Sequence, residues 1–136
     1  MSGRILFDTH VFLSLLSEPQ RIPVSMRRSI EGADERLLSV ASVWEMAIKS
    51  SIGKLVLPMP VGEFVRSRIK ALDGRIVAIS ARHAAAVEAL PMHHRDPFDR
   101  IIVVQAMLED AHLVTLDSAM AAYRRPALSG KRKQRR

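Results

Sequence analysis

Short apolar runs alternate along this chain with longer stretches of helical periodicity. The segment Arg4 to Asp8, built on Ile5-Leu6-Phe7, reads as a short buried strand, and Val11 to Leu16 as the helix or turn behind it, ended near Pro19. Pro23 is suited to open a helix through Arg27, Arg28 and Ile30, with Gly32 as its stop. Leu37 to Val40 predicts a second strand. Ser42 then begins a helix through Trp44, Ala47 and Ile48 that stops near Gly53, and Lys54 to Pro58 is an extended link. Val61, Phe64, Val65, Ile69 and Leu72 recur at helical spacing and predict one apolar helix face. Arg75 to Ile79 is a third strand. Ser80 fits the N-cap of a helix through Ala84 to Leu90, which Pro91 closes. Asp96 to Glu109 is a helix, His112 to Leu116 a fourth strand, and Ser118 to Tyr123 a last short helix. Strands separated by helices imply a parallel sheet with helices on both faces.

Length and composition fit one domain: 136 residues, 48% of them hydrophobic, are ample for a single core. The formal charge of +7 invites a nucleic-acid reading, but Lys131, Arg132, Lys133, Arg135 and Arg136 carry five of those charges, leaving the body through Leu128 near +2. The expected organisation is therefore one domain over 1–128 and a basic, disordered tail over 129–136. Such a tail can help hold a polyanion by counterion release without reading its sequence, and a plainly solvated tail is an equal reading. No cysteine is present, which removes disulfides and thiolate metal sites. No apolar run is long enough to span a bilayer and the first residues lack a signal-peptide plan, so a cytoplasmic protein is expected. Aromatic content of 4% argues against a base-stacking platform.

The placement of the acids changes the picture. Asp8 closes the first strand, Asp117 follows the last, Glu45 lies just inside a helix, and Asp96 and Asp99 open another. In an alternating strand and helix fold, strand ends and the helix starts behind them gather at one edge of the sheet. Carboxylates gathered there cannot all stay ionised without a cation, which points to a divalent metal. Each acid also has a local reading. Asp96-Pro97 is a standard helix N-cap, with Asp99 as the second half of a capping-box-like pair. Ser42-Val43-Trp44-Glu45 matches the capping box, and Glu45 with Lys49 is a favourable pair one turn apart. Asp8 and Asp117 can cap the helices that follow them. Capping and ligation are compatible, but capping alone does not require convergence.

Other polar residues carry less. His93-His94 beside the acidic helix start can touch a phosphate or orient an acid, although a solvated pair is the expectation. His10, His83 and His112 have no zinc-ligand spacing. Trp44, among apolar neighbours, is expected in the core. Arg95 and Arg100 are candidates to clamp phosphate, with a solvated helix end as the alternative. No phosphate-binding glycine loop, G-x-S-x-G or cysteine nucleophile is present.

Taken together, Ile5-Leu6-Phe7-Asp8-Thr9-His10, then Ser42 to Lys49 with Gly53-Lys54-Leu55, then His94-Arg95-Asp96-Pro97-Phe98-Asp99-Arg100, and finally Leu113-Val114-Thr115-Leu116-Asp117 run in the order of a known family. From Arg4 to Tyr123 the chain resembles the PIN-domain ribonucleases, in particular VapC-like toxins of bacterial toxin–antitoxin pairs. The resemblance implies a three-layer α/β/α sandwich with a central parallel sheet. It also implies a Mg2+- or Mn2+-dependent endoribonuclease whose acidic quartet falls on Asp8, Glu45, Asp99 and Asp117. Asp8 and Asp99 would hold the principal metal, with Glu45 and Asp117 completing the site directly or through water; Thr9, Asp96, Arg95 and Arg100 would stand nearby. Expected partners are an RNA substrate, a small antitoxin protein and a second copy in a homodimer, with no membrane. The apolar faces around Val24 to Ile30 and Val61 to Leu72 are candidate contact surfaces, although packing into the core is the stronger reading.

Two other classes remain open at this point. A phosphatase or phosphoacceptor domain would want a second acid beside Asp8, and Asp8-Thr9-His10 supplies none. A non-catalytic RNA-binding module of the same fold would hold RNA without needing a divalent ion.

Overall fold

A computed structural model of the chain describes residues 3–123. The basic tail expected over 129–136, and the end of the domain expected over 1–128, lie outside the described residues. Four strands, β1 (Arg4–Phe7), β2 (Glu35–Ser39), β3 (Gly74–Val77) and β4 (Ala111–Val114), form one sheet in the order β3-β2-β1-β4. All three pairings are parallel, with Leu6 opposite both Leu37 and Leu113. Among the described residues seven helices cover the sheet. They are α1 (Thr9–Ser17), α2 (Val24–Glu31), α3 (Val40–Ser51), α4 (Val61–Ala71), α5 (Ala81–Ala86), α6 (Pro97–Leu108) and α7 (Ser118–Ala121).

Strand alternation divides the core in two. Ile5, Phe7, Leu38 and Val114 pack one face against α1, α2 and α4, through Val11, Phe12, Ile30, Phe64, Val65 and Ile69. Leu6, Leu37, Val77 and Leu113 pack the other against α6 and α7, through Ile102, Val103, Ala106 and Met120. Because side chains alternate across a strand and both sets are buried, the sheet must be covered twice, which gives the expected three layers. The face of α4 is core, as its periodicity predicts. In α2 only Ile30 is buried.

β1 lies between β2 and β4, so the chain leaves the sheet in opposite directions from β1 and β4. The crevice outside their C-terminal ends is where ligands collect in open α/β sheets. Asp8 and Asp117 stand on its two sides. α4 and α6 both return to the sheet through an aspartate in the left-handed region, Asp73 and Asp110, each with φ 54°. That helix-ending position more often holds glycine.

Several boundaries differ from expectation, among them β3, which ends at Val77 rather than Ile79, and α5, which ends at Ala86; two bear on the site. Val40 belongs to α3 rather than β2, and the N-cap is Ser39 rather than Ser42. The Ser39 hydroxyl accepts the Ala41 N–H at 2.9 Å and donates to Gln105 Oε1, while Gln105 Nε2 holds Ala78 O at 3.2 Å. Buried Gln105, reaching in from α6, thus ends β2 earlier than the apolar run does. β4 also stops short, at Val114, because the Thr115 hydroxyl is engaged at the site and Leu116 turns outward.

Candidate metal and active site

Four segments deliver acids to the crevice. Asp8 caps α1, where its Oδ1 accepts the His10 N–H at 3.3 Å. Its Oδ2 accepts the Thr115 hydroxyl at 2.9 Å, and Thr115 Oγ1 in turn accepts the Asp117 N–H at 3.0 Å. Thr115 therefore ties the first acid to the loop that carries the last. Thr9 and Ser42, both buried, share a hydrogen bond of 2.7 Å that joins the starts of α1 and α3. Ser42 is thus a bridge between two helices, not half of a capping box.

Glu45 is 3% exposed and pairs with Lys49 through Oε2 at 2.9 Å. α3 turns Ala41, Ser42, Glu45 and Met46 inward. Successive helical residues are about 100° apart, so aiming Glu45 at the crevice turns Trp44 away from it. Trp44 is 59% exposed rather than core, resting edge-on against Phe98 at 5.0 Å between centroids. With Val40, Ile48 and Ile52 it forms an exposed apolar stripe along α3.

Asp96 is the N-cap of α6, its Oδ1 accepting from Phe98 N at 2.8 Å and Asp99 N at 3.3 Å. The reciprocal half of a capping box is missing, because the Asp96 N–H goes to His94 Nδ1. Asp99 is therefore free of capping and turns into the crevice. His94, expected to be solvated, is held inside instead. Its Nε2 hydrogen-bonds Asp117 Oδ2 at 3.1 Å and lies 3.0 Å from Asp99 Oδ2. Ligand atoms of His94, Asp99 and Asp117 all fall within 4.8 Å of one another. The sequence offers His94 as a residue able to orient an acid, but nothing local shows that Asp117 will arrive from beyond β4 as its partner.

Arg100 is not available to phosphate. It is buried, and its guanidinium donates to Pro91 O, His94 O and Leu90 O at 3.2 Å each, and to the Tyr123 hydroxyl. Tyr123 Oη accepts the N–H groups of His93 and His94 at 2.7 and 2.9 Å. Together they lock the loop that carries His94. Arg95 is exposed.

The electrostatics are those of crowded carboxylates. Burial, then the charges of Asp96 and Asp8, push Asp99 from 3.8 to about 7, opposed by His94 and reinforced by Glu45. Asp117 feels an opposing push from burial but is held below its ordinary value by the Ala119 N–H and by His94. His10 is raised, chiefly by its interaction with Asp8. Among the described residues, two buried side-chain oxygens have no hydrogen-bond partner, Glu45 Oε1 and Asp99 Oδ1. Leaving a buried carboxylate oxygen unpaired costs about 1–3 kcal/mol or more. An all-oxygen set of this kind fits a hard divalent cation such as Mg2+ or Mn2+, which would partner the orphan oxygens and restore ionised Asp99.

The PIN domain family profile matches residues 5–126. The chain is 32% identical over 123 residues to Ribonuclease VapC22 of Mycobacterium tuberculosis, covering 90% of this chain and 93% of that one. Among solved structures it resembles, at a TM-score of 0.59 and 16% identity over 90% of this chain and 92% of the other, a chain in the crystal structure of VapBC2 from Rickettsia felis bound to a DNA fragment from their promoter. At that identity the structural likeness speaks for the fold alone.

Proposed function

The chain belongs to the PIN-domain family, and on that premise we propose that it is a divalent-metal-dependent endoribonuclease, the toxin of a toxin–antitoxin pair. The observation that carries the reading is the pair of orphaned, buried carboxylate oxygens, Glu45 Oε1 and Asp99 Oδ1, in a crevice that also receives Asp8 and Asp117. Asp8 and Asp99 would hold the principal ion, Mg2+ or Mn2+, with Glu45 and Asp117 completing the site directly or through water. When bound, such an ion supplies an acidified water and charge neutralisation on an RNA phosphodiester.

The remaining work falls to the chain. Thr115 orients Asp8, Lys49 balances the second oxygen of Glu45, and the Thr9–Ser42 bridge fixes the two helices that present these acids. Pre-set geometry of this kind is where phosphoryl-transfer sites gain most of their advantage. Asp96 acts as the helix cap that sets the direction of Asp99. Exposed Arg95, next in the chain to the Asp96 cap, is the cation assigned to draw a phosphate backbone toward the site.

Partners follow from the same premise. A small antitoxin protein would block the crevice, and a homodimer is the expected assembly. The exposed stripe of Val40, Trp44, Ile48 and Ile52 is a better contact surface than α4, whose apolar face is buried, and than α2, which exposes Val24 alone among its large apolar residues. A cytoplasmic site of action accords with this reading; among the described residues no helix is long and apolar enough to cross a membrane. Expression in a bacterial host tests the pairing. Growth should stop with the wild-type chain, continue with Asp8→Asn, and recover when the neighbouring reading frame is co-expressed. Equal growth arrest by wild type and Asp8→Asn would reject the nuclease as the cause.

A further inference from the structure

His94 stands between two acids of the crevice, and its ring has two nitrogens with different partners. The Asp96 N–H donates to Nδ1 at 3.1 Å, so Nδ1 offers its lone pair and the ring proton resides on Nε2. Nε2–H donates to Asp117 Oδ2 at 3.1 Å, and Asp99 Oδ2 lies 3.0 Å from the same nitrogen. A direct bond from Nε2 to a metal would need the opposite tautomer, with two N–H groups pointed at each other across the Asp96 contact. The ring is therefore built as a donor.

Its carboxylate partners divide accordingly. Asp99 Oδ2 lies against the His94 ring nitrogen, while its Oδ1 is buried without a partner. Both oxygens of Asp117 are engaged, Oδ1 by Ala119 N at 2.8 Å and Oδ2 by His94. The loop that carries His94 is itself fixed, with its N–H on Tyr123 Oη at 2.9 Å and its carbonyl on Arg100 at 3.2 Å.

We propose that His94 is a positioning residue which donates Nε2–H to Asp117 Oδ2 and stands its ring nitrogen against Asp99 Oδ2, so that Asp99 Oδ1 is turned to the cation with Glu45 Oε1, leaving Asp117 to reach the ion through water. This assignment rests on the metal-dependent reading given above. It separates the quartet into oxygens that face the ion and oxygens that are spoken for, and it places an N–H donor close to the ion without making the ring a ligand. Hydrogen-bond partners of metal ligands commonly control affinity by about 10- to 100-fold.

The test is Mn2+ binding by calorimetry to wild type, His94→Ala and His94→Gln, with folding of each checked by circular dichroism. It is paired with two-bond 15N–1H spectra of the wild-type ring without metal and saturated with Mg2+. His94→Ala should bind Mn2+ about tenfold or more weakly. His94→Gln, whose side-chain amide N–H reaches about as far as Nε2–H, should recover most of that loss. The spectra should show a proton on Nε2 in both states. Unchanged or tighter binding by His94→Ala overturns the assignment, as does His94→Gln binding no better than His94→Ala. Loss of the Nε2 proton on adding Mg2+ would make His94 a ligand and also overturn it. In these cases wild-type Mn2+ binding still upholds the metal site, whereas a wild-type chain that binds no Mn2+ removes both that reading and this one.

Discussion

Replacing Asp99 by asparagine should make the metal-free protein more stable at neutral pH while removing its activity. Asp99 is 6% exposed, and its carboxyl is pushed from 3.8 to about 7 by burial and then by Asp96 and Asp8. A carboxyl whose folded pKa lies above its unfolded value binds a proton more tightly in the folded state. Its stabilisation is full below about pH 4 and is lost as pH rises to about 7. At about 1.4 kcal/mol per unit, the loss amounts to at most about 4 kcal/mol. Asparagine keeps an oxygen for His94 and offers N–H groups to the surrounding carboxylates, so a net gain of about 2 kcal/mol is expected after rearrangement. The assay is urea unfolding in EDTA across that range. Asp99→Asn should exceed wild type by that amount at pH 7.5 and match it near pH 4. With Mn2+ at about 100 times its Kd the order should reverse, because binding adds about 2.7 kcal/mol to wild type. A variant no more stable than wild type at pH 7.5 in EDTA would refute the crowded-carboxylate reasoning.

Tyr123→Phe removes an acceptor shared by His93 N, His94 N and Arg100, and a donor to Pro91 O. A loss of about 1–3 kcal/mol is expected in urea unfolding, with faster amide exchange at His93 and His94. Gly74→Ala would bring a Cβ to 2.7 Å from Arg36 O and 2.9 Å from Ile69 Cδ1. The backbone oxygen cannot yield easily, so thermal unfolding should show a loss of about 1–3 kcal/mol, and relief by Ile69→Val should be only partial.

The α/β/α layering is legible in the sequence because each strand and helix announces itself locally, through short apolar runs, Pro23, Gly32, Ser80 and the Asp96-Pro97 cap. The acids at the strand ends are legible for the same reason. What the sequence hides depends on distant partners. Ser42 fits the start of α3 by local pattern, yet Ser39 takes the cap, its hydroxyl held by Gln105 from α6. Trp44 looks like core among apolar neighbours, yet turning Ser42 and Glu45 inward leaves its face outside. Arg100 reads as a free cation at a helix start until Tyr123 and the carbonyls of the preceding loop surround it. His94 is hidden for the same cause, since nothing near it in sequence shows that Asp117 will arrive opposite its ring.

The most direct measurement of the central claim is cleavage of total cellular RNA by the purified, antitoxin-free chain, with Mg2+ or Mn2+, with EDTA, and with Asp99→Asn in place of wild type. Cutting that needs the divalent ion and disappears in both controls is the expected result. RNA left intact by folded wild-type protein saturated with Mn2+, or cut equally by Asp99→Asn, would contradict it.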